Sequence, residues 1–305
     1  MYCPFIKLGK FPFPIMRTRP GSVFRNVSKR VGLSMHEMTF GNDKAKSIEA
    51  LNKLVDNSIP VVLVVNVYHL PYLDHALPPD DKLNFNGHNI IVIGREDSTY
   101  HISDCDMKLE NEYYTIEERD LNITRFMPGA NAPHGRLFYF DKPDLGKFEH
   151  FDYRPACIAG LKEVCYNMTN IPIHYFGFKG IKHMGNVIRK WDKKFSFREI
   201  SLGLLFYYRI LEMAGTGGSG YRYIYARFLK ECAALFHDES LETYSETLVK
   251  AADSWRAFTI DVLHYRKQTG VTLNELTEKL YTAADYERNT ILGIKNNFLK
   301  KYKHL

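Results

Sequence analysis

The sequence predicts an α+β protein in two parts, a mixed sheet-and-helix half over residues 1–145 and an all-helical half over 146–305. Three observations carry this. The run "VVLVVNV", Val61 to Val67, is apolar except at Asn66 and β-branched at every valine, as expected for a strand covered on both sides. The stretch "NFNGHNIIVIGREDSTYHISDCD", Asn84 to Asp106, reads as two short strands around a polar turn. After Lys142-Pro143-Asp144-Leu145-Gly146 no strand pattern returns, and helical periodicity runs to the C-terminus.

In chain order, "KAKSIEALNKLVD" (Lys44 to Asp56) sets Ile48, Leu51, Leu54 and Val55 on one helical face, and Asn57, Ser58 and Pro60 close it. The strand Val61 to Val67 follows, then strands at Asn89–Gly94 and Tyr100–Asp104. "TIEERDLN" (Thr115 to Asn122) reads as a short helix and "GRLFYF" (Gly135 to Phe140) as a last strand. Beyond the boundary, helices are expected over 154–168, 178–194, 198–213, 220–237, 239–267 and 272–302.

Composition narrows the function. With 45% hydrophobic and 25% charged residues in 305, the chain can bury a large core. No run approaches the roughly 20 apolar residues of a membrane-spanning helix, and Met1-Tyr2-Cys3-Pro4 does not open like an export signal, so the expectation is a cytoplasmic protein without a membrane partner. The charge of +6 is dispersed apart from Lys300, Lys301 and Lys303, and most of the 20 Tyr and 20 Phe fall at apolar-face spacing, which argues against a nucleic-acid partner. Five cysteines, Cys3, Cys105, Cys157, Cys165 and Cys232, form no CxxC pair, so neither a disulfide framework nor a zinc knot is indicated. His69, His75 and His88 with Asp74 match no metal-ligand spacing; no metal and no cofactor is expected.

Chemistry concentrates in the predicted hairpin. If its turn, Arg95 to Ser98, centres on Glu96, His88 lies directly across from Asp104, on the face shared by Ile90, Val92, Tyr100 and Ile102. A one-residue shift would send the two side chains to opposite faces. A carboxylate behind an imidazole fixes its tautomer and stabilises its protonated form, so the pair could move a proton for a thiol or hydroxyl nucleophile. The alternative is polar residues at two strand ends.

Further residues and motifs bear a resemblance. "VVNVYHLPYLDHALPPDDKLNFNGHNIIVIG", with Leu70-Pro71-Tyr72 and Gly87-His88, followed by "YHISD" ending on Asp104, resembles the N-terminal family of butirosin biosynthesis protein H, an acyltransferase-related branch of the papain-like cysteine peptidase fold. "RFMPGANAPHGRLFYF" (Arg125 to Phe140) is similar to that family's closing segment, and "GTGGSGYRYIYARFL" (Gly215 to Leu229) to the helical domain of unknown function that often follows it. The resemblance implies a papain-like antiparallel-sheet domain in which His88 and Asp104 serve a cysteine nucleophile at a helix start. "YCPFIKLGKFPFPIMRTRPGSVFRNVSKRVGL" resembles the part after that helix, so the nucleophile segment is expected to be missing, and Cys3, followed by Pro4, is not given the role. Cys105 should face away from His88, and Cys157, Cys165 and Cys232 read as buried, inert thiols.

Asn66 is by this resemblance a candidate oxyanion-side group, with a polar strand end as the alternative, and Tyr68, Tyr72 and Asn86 line a substrate groove or serve packing. "GTGGSGYR" has the glycines to wrap an anion but no phosphate-loop Lys-Ser/Thr ending, and reads as a connection between helices. Arg17 and Arg19 sit in a basic turn that could meet an acidic carrier or substrate. Two functions remain open: an enzyme of acyl transfer or amide or thioester cleavage in a specialised biosynthetic pathway, taking a small-molecule or carrier-protein-bound acyl substrate, or a catalytically silent relative that binds or assembles. The aromatic helical half fits either a homodimer interface or a core.

Overall fold

The protein is described by a computed structural model over residues 5–8, 11–14, 21–73, 85–104, 113–142, 150–173, 175–213 and 216–303. It divides into two compact units, Thr18–Phe151, and Asp152–Leu305 together with Met1–Arg17. The elements follow the α+β pattern, an antiparallel sheet first and helices after.

Strands β1 (Phe5–Leu8) and β2 (Phe11–Pro14) make an antiparallel ribbon that groups with the helices, where the Phe11 ring packs on Trp191 at 4.6 Å and on Phe195 at 4.7 Å. In the Thr18–Phe151 unit come α1 (Ser22–Val31), β3 (Met35–Met38), α2 (Lys44–Asp56), β4 (Val61–Asn66), β5 (Asn86–Glu96), β6 (Thr99–Ser103), β7 (Tyr114–Glu117), α3 (Glu118–Arg125) and β8 (Leu137–Phe140). The sheet order is β3-β8-β4-β5-β6-β7, antiparallel at every pairing.

Strand β4 is buried along its whole length because both sheet faces are covered. Val61, Leu63 and Val65 join Ile90, Val92, Tyr100, Ile102 and Ile116 against Leu51 and Val55 of α2 and Leu121 of α3. Val62, Val64 and Phe138 turn to the other face, toward Phe24 of α1 and Met35. Asp43 caps α2 by accepting from the Lys46 N–H at 3.0 Å. Arg95 locks the hairpin to the far end of that helix through a two-pronged bond to Asp56, at 2.6 and 2.8 Å.

The stretch read as one helix from Thr115 divides instead into β7 and α3. The reason is a change of period: Tyr114 and Ile116 alternate with Thr115 and Glu117 and pair with Ile102 and Tyr100, and the helix starts only at Glu118, where Asp120 follows to favour its N-terminus.

Helices α4 (Arg154–Thr169), α5 (Gly177–Ile188), α6 (Phe197–Tyr208), α7 (Arg222–Phe236), α8 (Glu239–Arg266) and α9 (Leu273–Gly293) build the second unit. Capping boxes start α6 at Ser196 with Glu199 and α9 at Thr272 with Glu275. Among the described residues no helix is long and apolar enough to cross a membrane. Its core contains an ion pair: the Arg222 guanidinium donates to Glu287, whose Oε1 also accepts from Trp255 Nε1 at 2.8 Å, and it lies over the Trp255 ring at 4.1 Å. Both charges are essentially unexposed, so each depends on the other.

Two measurements test this architecture. Glu287→Leu leaves Arg222 buried and uncompensated and should lower stability by about 3–5 kcal/mol in urea unfolding followed by Trp255 fluorescence. Gly87 has φ +106, which an L side chain adopts only with strain. Gly87→Ala should therefore cost about 1–2 kcal/mol. Amide exchange in β4 and β5 should then speed up roughly 5- to 30-fold.

Candidate functional site

His88 and Asp104 meet at one end of the sheet face that carries Ile90, Val92, Tyr100 and Ile102. His88 Nε2 lies 2.8 Å from Asp104 Oδ2, and the residues are 6% and 1% exposed. The pairing that produces this differs from the expected one. The turn is two residues, Asp97-Ser98, between the partners Glu96 and Thr99, with Asp97 at φ +50. Pairing runs through Gly94 with His101 and then steps to Val92 with Ile102, leaving Ile93 as the extra residue of a bulge. Continued by one residue, this register puts Asp104 across from Ile90. His88 is thus a diagonal neighbour, two positions along on the same face, and its long side chain spans the difference.

A second irregularity shapes the start of β5. Val65 pairs with His88 but Asn66 pairs with Asn86, so Gly87 is passed over in its left-handed conformation. This brings the two asparagines together: Asn66 Nδ2 donates to Asn86 Oδ1 at 2.9 Å. Asn66 Oδ1 accepts from the Tyr68 N–H at 2.9 Å, which turns the chain out of β4, and its carbonyl accepts from the Thr124 hydroxyl of α3. Asn86 Nδ2 in turn donates to the carbonyls of Pro128 and Ala130, at 3.2 Å each. The segment carrying those carbonyls is anchored by Arg125, fully buried, whose Nη2 donates to Ser47 Oγ at 2.5 Å and to the Gly135 carbonyl at 3.3 Å. Burial lowers the Arg125 pKa to about 10, so it stays cationic at neutral pH.

Tyr72 joins the pair. Its hydroxyl donates to Asp104 Oδ2 at 2.9 Å, and its ring stacks on Tyr114 at 4.5 Å with an interplanar angle of 10°. Burial, the Asp104 charge and the bond to it push the phenol pKa well above its ordinary value, so the hydroxyl remains a donor. Tyr68 is partly exposed, with its ring edge-on to His69 at 5.0 Å. Of the six residues singled out in sequence, the structure therefore joins His88, Asp104 and Tyr72 in one cluster and Asn66 and Asn86, with the Tyr68 backbone, in another. Tyr114 and Thr124 were not singled out. Tyr114 was hidden by the reading of β7 as helix; a period-2 scan over Tyr114–Glu117 would have found it.

The remaining candidates fall elsewhere. Cys3, Cys105, Asp74, His75, Arg17 and Arg19 lie outside the described residues. Cys157 and Cys232 interact through their sulfurs, an interaction that lowers the first thiol's pKa and raises the second's. Cys165 lies against the Ile291 carbonyl, and burial pushes its thiol up to about 11. Among the described residues no group of three or more His, Cys, Asp or Glu could hold a metal ion.

The glycine-rich segment connects two helical elements, as the sequence indicates, and one of its amides meets a carboxylate of the chain itself. Gly217, Gly218, Ser219, Gly220 and Tyr221 all have positive φ, and within this left-handed turn the Ser219 N–H donates to Glu212 Oε1 at 3.2 Å. Thr259 Oγ1 donates to the same oxygen at 3.0 Å, and Arg256 lies 3.6 Å from the other.

Comparison with known proteins places these features in families. The profile of the family described as Domain of unknown function (DUF4872) matches residues 119–292, more than half of the chain. The profile described as Butirosin biosynthesis protein H, N-terminal, matches residues 1–105, which include Asn66, Tyr72, His88 and Asp104. A search of curated proteins found no match.

The raised Cys165 pKa has a direct consequence. A thiol at about 11 is deprotonated in about one molecule in a thousand at pH 8. Iodoacetamide should leave Cys165 unmodified in the folded protein at that pH and alkylate it after unfolding, as read by peptide mass spectrometry.

Proposed function

This chain belongs to the DUF4872 family and carries a butirosin biosynthesis protein H N-terminal module ahead of that domain, and on this premise we propose that it performs acyl transfer or amide or thioester cleavage in a specialised biosynthetic pathway. The observation that carries the reading is the contact between His88 Nε2 and Asp104 Oδ2, made from neighbouring strands on one face. With Nε2 committed to the carboxylate, Nδ1 is the ring atom that exchanges a proton with a nucleophile.

In this papain-like scheme a cysteine thiol gives its proton to His88 Nδ1 and its sulfur adds to the carbonyl carbon of an acyl thioester, ester or amide. The bond to the leaving group then breaks, and His88 returns the proton to that group. An amine, hydroxyl or water then gives a proton to His88 Nδ1 and adds to the acyl carbon, the bond to the cysteine sulfur breaks, and His88 returns that proton to the sulfur. Asp104 orients the imidazole and stabilises its protonated form. Asn66, Tyr68, Tyr72 and Asn86 form the surroundings of the acyl substrate, which is small or carrier-bound. The cysteine is not assigned, since Cys3 and Cys105 lie outside the described residues. The reaction takes place in the cytoplasm, and self-association through the helical half is part of the same proposal.

The near-complete burial of His88 favours a second reading, a catalytically silent relative in which the pair is structural. One experiment separates the two. The protein, expressed from its complete reading frame, is incubated with a short-chain acyl thioester and analysed by intact and peptide mass spectrometry. The first reading expects acylation of one cysteine, slowed about 100-fold or more by His88→Ala in a protein that remains folded. Absence of any acyl adduct on the folded protein removes it.

A further inference from the structure

Read along the sequence, Cys157, Cys165 and Cys232 are three separate thiols, and the fold changes that for two of them. Cys157 lies on α4 and Cys232 on α7, helices that touch within the second unit. Cys232 is 1% exposed and belongs to the core of that unit, while Cys157 packs against the same core from its edge and is partly exposed. Both are free thiols, and their sulfurs share a hydrogen bond.

The two positions suit different tasks. Cys157 closes the first turn of α4, its N–H donating to the Tyr153 carbonyl at 2.9 Å, and the positive end of a helix dipole favours a thiolate there. The bond from the Cys232 S–H lowers the Cys157 pKa, against the opposing effects of burial and the Asp152 charge. The same bond, with burial added, raises the Cys232 pKa, so that thiol keeps its proton while its neighbour ionises. A dissolved oxidant can reach the first sulfur. The second is sealed from solvent and has the first beside it.

We propose that Cys157 and Cys232 form a dithiol–disulfide couple, in which Cys157 meets a hydroperoxide and Cys232 resolves the product. The Cys157 thiolate attacks the terminal oxygen of the hydroperoxide and the O–O bond breaks. The departing alkoxide or hydroxide takes up the proton lost by the thiol, and Cys157 becomes a sulfenic acid. The Cys232 sulfur then attacks the sulfenic sulfur, the S–O bond breaks, and hydroxide leaves as water with the Cys232 proton. The pair has given up two electrons and two protons, and the hydroperoxide has accepted them. The new bond ties α4 to α7. Neither step uses His88 or an acyl substrate, so the couple stands or fails independently of acyl transfer.

The test treats the reduced, folded, full chain with hydrogen peroxide, blocks remaining thiols with N-ethylmaleimide and reads unreduced peptides by mass spectrometry. A peptide pair linked through Cys157 and Cys232 should appear, and dithiothreitol should remove it. Cys165, whose pKa burial raises to about 11, should oxidise about tenfold or more slowly than Cys157. Cys232→Ala should leave the sulfenic acid standing at Cys157, where dimedone captures it, and Cys157→Ala should leave Cys232 reduced. A folded wild type that never yields the linked peptides overturns the proposal. If circular dichroism shows either variant unfolded, the wild type decides alone: dimedone present during oxidation must capture Cys157, and capture at Cys232 instead overturns the assigned order.

Discussion

A single carboxylate oxygen, Asp104 Oδ2, lies between an imidazole and a phenol in a nearly water-free corner of the sheet. An ionised carboxyl group withdrawn from water is unfavourable by several kcal/mol unless donors replace the lost hydration. Here the donors come from β5 and from the turn after β4, so three chain segments must arrive together for the charge to be tolerated. The requirement is geometric before it is chemical. It makes the end of a hairpin, ordinarily the first part of a sheet to fray, into one of its more constrained places.

Two local irregularities allow that arrival. Without the extra residue Ile93, the pairing near the turn would extend to put Asp104 across from Ile91, whose side chain is 37% exposed on the opposite face. The bulge reverses the alternation once and returns Asp104 to the side of His88. The passage of Gly87 does comparable work at the other end of β5, where it lets Asn86 meet Asn66 beside His88. Bulges that redirect a side chain are common next to functional sites, and each of these lies within six residues of the imidazole.

Much of this was legible in the sequence, and the rest was obscured for physical reasons. The two-part α+β plan followed from periodicity alone, because β4 is apolar from Val61 to Val65 and the helices of the second unit repeat at 3.6. The shared face of Ile90, Val92, Tyr100 and Ile102 was readable from alternation. The register was not. A turn centred on Glu96 and the actual pairing near Asp104 differ by two residues, an even number, so the face came out right while the partner did not. Gly94 was the available sign, since a glycine inside a strand pattern often marks a bulge. Tyr114 escaped because four residues of strand run straight into a helix without a turn residue between them. That Arg125 is fully buried is beyond any reading of a single sequence, since arginine is ordinarily a surface residue.

The left-handed turn around Glu212 carries a consequence for ligand recognition. A free phosphate or carboxylate reaching for the Ser219 amide would have to evict an anion tethered only seven residues away in the chain. The tether raises the effective concentration of that carboxylate at the amide, so a dissolved anion competes with a partner that cannot diffuse away. The segment that the sequence marks as a connection between helices thus has its Ser219 amide already engaged by a carboxylate of the same chain.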